Sequence, residues 1–325
     1  MEKPLAIIIP AYKIDFLEHC LSSISNQTNK NFNLYIGNDS STDNIDSLVD
    51  SYRNIIDLTY RRFDANLGSI SLVKQWERCI ELSRNEEWIW LFSDDDTMDI
   101  DCVENFLCLE KQTEDCNIFR FSLQVINKNG EIERMTKYPE EESVDQFILN
   151  RFSLKYDSAI TNYIFKRENY NKFGFKEFPL AWCSDDASII NFSNNKAIIT
   201  IPNCNVQWRI SSRNISSTNN SLLQKQKVYS RLAYVEWLYT SKKFPFLNFG
   251  CNKNIILNWM LSSINTEFNG FTTDEKKKLL IKTELIVSKN IKFYNLKCRI
   301  SNFRNKIAFF FHALNNIITK SFSGK

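Results

Sequence analysis

Short apolar runs alternate with helical patterns four times in the first hundred residues, and each apolar run stops at a polar cluster. The apolar runs, which predict strands, are residues 5–9, 33–37, 58–61 and 88–92. Such alternation predicts a doubly wound α/β sheet, whose ligands bind outside the carboxyl ends of the strands. The four polar clusters are therefore expected to meet at one edge of the sheet.

Beyond residue 110 the pattern loosens. Residues 118–121 and 123–126, with the turn Asn129-Gly130, predict a hairpin. Further elements are predicted as a helix at 147–154, strands at 159–165 and 197–201, and mostly helices from 222 onward. We predict one α/β domain over residues 1–216, with halves at 1–110 and 111–216, and a helical C-terminal appendage over 217–325.

Composition narrows the class of protein. Apolar residues make up 43% of the chain and charged residues 24%, as in ordinary globular proteins. The net charge of +3 gives no reason to expect a nucleic-acid partner. The nine cysteines show no paired spacing, and no segment is long and apolar enough to span a membrane. We therefore expect a cytoplasmic protein with reduced thiols.

The C-terminal region is basic. Acidic residues become rare after Asp274, and residues 293–322 mix Lys and Arg with large apolar side chains. This mixture predicts an amphipathic helix, which could lie on the anionic inner face of the membrane. Packing against the core or against a second copy of the chain is an equal alternative.

Three consecutive aspartates, Asp94, Asp95 and Asp96, follow the fourth predicted strand. Adjacent carboxylates repel one another unless a cation meets them. Because the cluster falls at the ligand-binding edge, we favour a cation site over a solvated acidic turn. Hard oxygen ligands favour Mg²⁺ or Mn²⁺.

The order of the motifs resembles glycosyltransferase family 2. The motifs are Ile7-Ile8-Ile9-Pro10-Ala11-Tyr12, Asn38-Asp39-Ser40-Ser41-Thr42-Asp43, Asn66-Leu67-Gly68 and Ser93-Asp94-Asp95-Asp96. The resemblance covers residues 4–110 well and extends more weakly to about residue 216. It implies that residues 1–110 are the nucleotide-binding half and residues 111–216 the acceptor half. It implies the GT-A fold, a Rossmann-like mixed sheet, and metal-dependent, inverting transfer of a hexose-type sugar from a nucleotide-sugar.

The resemblance also implies roles for the donor-side residues. The nucleotide pocket would be lined by Pro10, Ala11 and Tyr12, and Asp39 would recognise the base edge, although an Asx-turn or helix cap is the alternative for Asp39. Asn66 and Gly68 belong to the same donor site. Across the three aspartates, the implied roles are the ribose for Asp94, the metal for Asp95 and a second metal ligand for Asp96.

A second acidic pair, Asp185-Asp186, resembles the Glu-Asp pair that provides the family's general base. Asp186 matches the base position, because an inverting transfer needs a group that takes the proton of the acceptor hydroxyl. A helix N-cap is the alternative, and it suits Asp185 better. Trp182 could stack on an acceptor sugar or belong to the core.

Residues 208–216 resemble the family segment that closes over the donor. This chain has Ser211 where many relatives carry a histidine. Arg209 and Arg213 could neutralise the donor diphosphate, because guanidinium groups suit that role. The alternative for both arginines is an ordinary surface loop.

By resemblance the donor is expected to be a UDP-sugar. The acceptor would be a hydroxyl of a glycan or a lipid-linked acceptor in bacterial surface polysaccharide synthesis. One alternative is a silent nucleotide-sugar-binding module, which the substitutions Asn38, Ser93 and Ser211 favour slightly. The other is a metal-dependent nucleotidyltransferase, although Pro10-Ala11-Tyr12-Lys13 is not the Gly-rich loop expected there.

Overall fold

The computed structural model describes residues 3–211, 214–217, 220–241, 250–266 and 270–289. The described residues up to Val287 form one compact unit, and a second unit, residues 288–325, is described only at its first two residues. The predicted amphipathic segment at 293–322 and Arg213 lie outside the described residues.

Ten strands and ten helices are assigned within the described residues. The strands are β1 (Leu5–Ala11), β2 (Phe32–Asn38), β3 (Leu58–Arg62), β4 (Trp88–Leu91), β5 (Thr97–Met98), β6 (Ile118–Ile126), β7 (Ile132–Thr136), β8 (Glu141–Glu142), β9 (Tyr163–Lys166) and β10 (Ile198–Arg209). The helices are α1 (Leu17–Ser25), α2 (Ile45–Tyr52), α3 (Leu72–Ile80), α4 (Cys102–Glu110), α5 (Val144–Phe152), α6 (Arg167–Phe173), α7 (Ser184–Ser193), α8 (Ser221–Thr240), α9 (Gly250–Thr266) and α10 (Thr273–Lys289).

All the strands belong to one mixed sheet in the order β3-β2-β1-β4-β9-β6-β10-β5, with β7 paired to β6 and β8 to β10. The first four strands in this order are parallel, and β9 runs antiparallel to both of its neighbours. Ala11 pairs with Asn38, so β1 and β2 end at the same level. The predicted doubly wound mixed sheet is confirmed.

Strand β1 explains why the sheet has helices on both faces. Its apolar side chains alternate between two hydrophobic clusters: Ala6 and Ile8 belong to one, and Leu5, Ile7 and Ile9 belong to the other. Each of these side chains is fully buried. A continuous apolar run without polar alternation is typical of a parallel strand that is covered on both sides.

The predicted hairpin was wrong in its register. Residues 118–126 form one continuous strand, β6, and its antiparallel partner is β7, which follows the turn at Asn129-Gly130. Gly130 has a φ of 86°, a left-handed value that glycine adopts without steric cost. The turn at Asn129-Gly130 was therefore predicted correctly, but it joins β6 to β7.

Helices α8 and α9 share a hydrophobic core with the sheet. The ring of Phe152 at the end of α5 lies 5.8 Å from Tyr234 of α8 and 4.9 Å from Trp259 of α9. The Ser230 hydroxyl of α8 donates to the Pro179 carbonyl at 2.6 Å. The predicted boundary at residue 216 lies between β10 and α8, and the chain beyond it helps to build the core.

Two expectations from composition concern the described part of the chain. Seven of the cysteines described there are free thiols, and six of these seven are buried. None of the helices described there has the length and apolar character needed to cross a membrane.

Candidate functional site

A cavity of about 1260 Å³ opens at the carboxyl ends of β1, β2 and β4 and continues along α5, α7, α8 and α9. Ten of the predicted site residues line it: Pro10, Tyr12, Asp39, Asn66, Gly68, Asp94, Asp95, Trp182, Asp185 and Asp186. Three others, Ala11, Asp96 and Arg209, do not line it. The structure thus brings the two predicted acidic clusters into one cavity.

Asp94 holds the loop that follows β1. Its Oδ2 accepts hydrogen bonds from the backbone N–H groups of Tyr12 at 2.8 Å and Lys13 at 2.9 Å. The triple aspartate begins three residues after the end of the buried strand β4, which pairs with β1, so one carboxylate reaches the neighbouring loop. Charge-assisted bonds of this kind are stronger than bonds between neutral groups. Asp94 therefore fixes the wall on which Pro10 and Tyr12 lie.

Asp39 is held in the same way by the loop after β3. Its two oxygens accept from the backbone N–H groups of Leu67 at 2.7 Å and Gly68 at 2.8 Å, and Arg78 pairs with it. A Cβ atom on Gly68 would lie only 2.5 Å from Asp39 Oδ2. Glycine is therefore required here by close approach. The Asn66 side chain closes the same turn, accepting from the N–H of Ser69 at 2.9 Å.

Asp95 and Asp96 differ in their access to the cavity. Asp95 faces the cavity, and the Lys13 ammonium lies 3.7 Å from its Oδ2. Burial and the charge of Asp94 raise the pKa of Asp95 to about 6. Asp96 is fully buried, with Oδ1 accepting from the N–H of Arg209 at 2.8 Å, and burial raises its pKa well above the usual value. Of the two aspartates predicted to bind the metal, only Asp95 lines the cavity and can contact a metal ion there.

The carboxylates of the cavity are few for a divalent metal. No group of three or more His, Cys, Asp or Glu side chains in the described ranges is arranged to hold a metal ion by itself. Mg²⁺ is usually held by one or two carboxylates together with phosphate oxygens of a substrate. Asp95 supplies such a carboxylate at the cavity wall. The residues therefore fit a metal whose coordination a bound phosphate would complete.

Arg209 lies behind the aspartates and does not face the cavity. Its Nε donates to the Asp95 carbonyl at 2.9 Å, its Nη1 donates to the Asn127 carbonyl at 3.2 Å, and the guanidinium lies 4.5 Å from the centre of the Phe16 ring. In this position the Arg209 side chain does not reach the cavity, which contradicts its predicted contact with a diphosphate. Ala11 is corrected for a similar reason, since its side chain is fully buried in the core.

Lys13 is the cation that the cavity does present beside Asp95. Its Nζ lies 3.4 Å from the Asn214 Oδ1, in the segment that follows β10. Ser211, which stands where a histidine was expected by resemblance, donates its hydroxyl to the same Asn214 oxygen at 2.8 Å. Lys13 was not singled out from the sequence, although it directly follows the predicted Pro10-Ala11-Tyr12 motif.

The acidic pair at the other end lies in the first turn of α7. The segment that leads into this helix contains three non-glycine residues with left-handed backbone: Leu180 (φ 60°), Ala181 (φ 53°) and Cys183 (φ 67°). Such conformations cost energy and persist only where the surrounding structure holds them. The Phe178 N–H donates to the Ser184 hydroxyl at 3.1 Å across this segment. The strained turn sets the direction in which Asp185 and Asp186 enter the cavity.

Asp186 makes a two-pronged ion pair with Arg151 of α5. Arg151 Nε lies 2.9 Å from Oδ1 and Nη2 lies 3.1 Å from Oδ2, and Nη1 donates to the Tyr156 carbonyl at 2.9 Å. Asp185 is partly buried and lines the cavity beside this pair. Burial and the charge of Asp186 raise the pKa of Asp185 to about 7. Asp185 is not the N-cap, because Cys183 occupies that position.

Aromatic and basic side chains surround Trp182 beyond the acidic pair. The Lys227 ammonium lies 4.4 Å from the centre of the Trp182 ring, and the Arg231 guanidinium lies 5.1 Å from the ring of Trp259. Trp182, Arg231 and Trp259 all line the cavity. Arg151, Arg231 and Trp259 were missed from the sequence, because they lie within ordinary helices and no local motif marks them.

A family model described as glycosyl transferase family 2 matches residues 6–178 of this chain. No curated protein matches the sequence. The match covers the strand-end part of the cavity, with Asp39, Asp94 and Asp95, and stops just before the Asp185-Asp186 pair.

Two solved structures have similar folds. S. aureus TarS 1–349, in complex with UDP-GlcNAc, is 13% identical with a TM-score of 0.56, covering 90% of this chain and 93% of that one. The mannosyltransferase PcManGT from Pyrobaculum calidifontis, in complex with GDP-Man and Mn²⁺, is 13% identical with a TM-score of 0.54, covering 90% and 88%. At this identity the likeness concerns the fold.

Proposed function

Because the chain belongs to glycosyl transferase family 2 and is a glycosyltransferase of the GT-A fold, we propose that it transfers a sugar with inversion from a nucleotide-sugar to a hydroxyl acceptor. The observation that carries this proposal is a single cavity shared by Asp94 and Asp95 at the strand ends and by Asp185 and Asp186 of α7. A transfer reaction needs both sets, one for the leaving diphosphate and one for the attacking hydroxyl.

The proposed donor is a UDP-sugar. Pro10, Tyr12 and Asp39 would surround the base and ribose at the open end of the parallel strands, where α/β sheets bind nucleotides. TarS was solved with UDP-GlcNAc and PcManGT with GDP-Man, so similar folds accept different bases. The choice of UDP rests on the resemblance to the family and is the first point to test.

The proposed cofactor is a divalent ion, Mn²⁺ or Mg²⁺, held by Asp95. When bound, such an ion would supply positive charge to the leaving diphosphate. Lys13, 3.7 Å from the Asp95 carboxylate, adds a second positive group at the same place. Asp94 would keep the loop of Tyr12 and Lys13 in position through its two backbone hydrogen bonds.

The proposed acceptor is a hydroxyl of a glycan or of a lipid-linked acceptor, bound at the end of the cavity that contains Trp182. Aromatic rings provide flat apolar surfaces, and hydrogen-bonding groups beside them fix orientation. A carboxylate of the Asp185-Asp186 pair takes the hydroxyl proton as the oxygen attacks the sugar carbon. A role in bacterial surface polysaccharide synthesis, at the inner face of the membrane, is part of this proposal and rests on resemblance.

Calorimetric titration of UDP, GDP and dTDP, with and without Mn²⁺, tests the donor site. We expect UDP to bind more tightly with Mn²⁺, and Asp95→Ala to remove that metal-dependent gain. Asp57→Ala is the matched control, because the Asp57 side chain is 86% exposed and lies outside the cavity. The control should bind like the wild type.

Release of UDP from a panel of UDP-sugars separates an enzyme from a silent binding module. A transferase is expected to hydrolyse its donor slowly when water is the acceptor. UDP binding without release from any donor would favour the silent module. Absence of binding by all three nucleotides, with and without metal, would contradict the proposed donor site.

A further inference from the structure

The two carboxylates of the acidic pair have different surroundings. Both oxygens of Asp186 face Arg151, in bonds of 2.9 and 3.1 Å, and only 5% of the Asp186 side chain is exposed. The third nitrogen of Arg151 is held by the Tyr156 carbonyl. A bidentate guanidinium occupies both carboxylate oxygens in one planar geometry. Both oxygens of Asp186 are therefore engaged by one guanidinium, and an acceptor hydroxyl would have to compete with Arg151 for them.

Asp185 has no such partner. Among the residues that the structure describes, no side chain donates a hydrogen bond to its carboxylate, and it lines the cavity next to Trp182. Within the described ranges, the charged and titratable groups that interact with it are Asp186 and Cys183 on its own segment, Arg151 of α5 and Tyr234 of α8. Arg231 of α8 lines the same cavity.

The groups around Asp185 make its carboxylate a suitable proton acceptor near neutral pH. Burial and the Asp186 charge raise the pKa of Asp185 to about 7, against the lowering effect of Arg151. The best general base has a pKa near the working pH, because it is then both ionised and basic enough to take the proton.

Resting on the proposed function, we propose that Asp185 is the general base and that Arg151 is a positioning residue which holds both oxygens of Asp186 beside it. The acceptor O–H proton passes to an Asp185 oxygen while the hydroxyl oxygen forms its bond to the anomeric carbon. The bond from that carbon to the phosphate oxygen breaks, and its electron pair leaves with the nucleoside diphosphate. This assignment differs from the one that resemblance alone gives, which places the base at Asp186.

The test compares four variants by the pH dependence of UDP release from UDP-GlcNAc and related donors. Asp185→Asn should lower kcat by about 10²–10⁴-fold with UDP affinity unchanged, the range for loss of a general base. Asp186→Asn should retain measurable turnover, with the acidic limb of the profile moved to lower pH because the neighbouring charge is gone.

Arg151→Met should move the acidic limb to higher pH, since the two carboxylates then repel each other without a cation between them. Arg151→Lys should move it part of the way back. A purely structural Arg151 would lower kcat without moving the limb. Asp145→Asn is the control, an exposed carboxylate on the same helix that lies outside the cavity.

Failure of the Asp185 assignment and failure of the proposed function give different results. If the wild type turns over and the kcat of Asp185→Asn is within about threefold of the wild-type kcat, this assignment is overturned and the proposed function stays intact. If Asp186→Asn loses turnover while Asp185→Asn keeps it, the general base is Asp186. A wild type that turns over no nucleotide-sugar would overturn the proposed function and this inference together. As a readout that needs no activity, ¹³C-carboxyl NMR should show an aspartate titrating near neutral pH that disappears in Asp185→Asn.

Discussion

The proposed donor end of the cavity contains Asp39 and Asp94, and the proposed acceptor end contains Trp182, Asp185 and Asp186. The two ends hold their acidic side chains with different kinds of hydrogen-bond donor. At the donor end, Asp39 and Asp94 accept from backbone N–H groups of loops that follow neighbouring strands. At the acceptor end, Asp186 is held by the side chain of Arg151, which lies 35 positions earlier on another helix. The donor end therefore depends on the path of the main chain, and the acceptor end depends on individual side chains.

A second pair in the acceptor half follows the same principle. Arg120 of β6 lies 2.6 Å from Glu142 of β8, and both side chains are fully buried. Asn150 of α5 also donates to Glu142, at 2.6 Å, and the Tyr156 hydroxyl bonds to the same carboxylate. The wall of α5 that carries Arg151 is thus fixed to the sheet by a buried charge pair.

The largest effect is expected when that pair is broken. Glu142→Gln keeps the size of the side chain but leaves the Arg120 guanidinium buried without its counter-charge. Breaking a buried ion pair in this way costs about 3–5 kcal/mol. We expect a loss of that size in the free energy of unfolding, measured by urea denaturation with an unchanged slope.

The matched control is a pair at the surface of the same half. Arg134 and Asp157 form a salt bridge with 47% and 28% of their side chains exposed. Exposed pairs contribute about 0–1 kcal/mol, so Asp157→Asn should have little effect. Equal losses in the two variants would mean that burial does not distinguish the pairs, and the comparison between the two kinds of wall would fail.

This difference explains how far the site could be predicted. The donor-end residues follow buried strands directly, and the carboxyl ends of parallel strands meet at one edge, so Asp39 and Asp94 could be placed from their positions alone. Which of the three aspartates turns away from the cavity depends on Arg209, whose N–H bonds to Asp96 only because β10 joins the sheet.

At the acceptor end, position along the chain carries less information. The pair Asp185-Asp186 is visible as a motif, but its division of roles depends on Arg151, which occupies an ordinary position near the end of α5. Arg231 and Trp259 come from helices beyond the segment that matches the family. Contacts between side chains of distant helices leave no periodic signal in a sequence.

The next prediction concerns stability against pH at the acceptor end. The pKa of Asp185 is about 7 in the folded protein, above its ordinary value of 3.8, so the folded state holds a proton that the unfolded chain releases. Stability is therefore lost as pH rises from about 4 to about 7, and the penalty remains at higher pH. Asp185→Asn should remove it and stabilise the unliganded protein by about 1–3 kcal/mol at pH 8, with a smaller gain at pH 5.

Thermal unfolding of the same variant pair at the two pH values gives the measurement. Asp186→Asn is the informative contrast, because it leaves Arg151 without its acid and should destabilise the protein at both pH values. Adjacent carboxylates would then have opposite effects on stability. If Asp185→Asn destabilises the protein at pH 8, the ionised Asp185 carboxylate is stabilised in the folded state, and the prediction is wrong.

The smallest effect is expected at the donor end, where a backbone contact is disturbed without loss of any charge. In Gly68→Ala the new methyl group would lie 2.5 Å from Asp39 Oδ2, and that carboxylate is already bonded to two N–H groups and Arg78. The loop must shift, at a cost of about 1 kcal/mol in stability. Because the shift displaces Asp39, UDP affinity should fall by about tenfold. Ile70→Ala, at an exposed position two residues further on that lies outside the cavity, should bind normally. Unchanged UDP affinity in Gly68→Ala would mean that Asp39 does not contact the nucleotide, and the donor end would then be held together by its main chain without reading the base through this carboxylate.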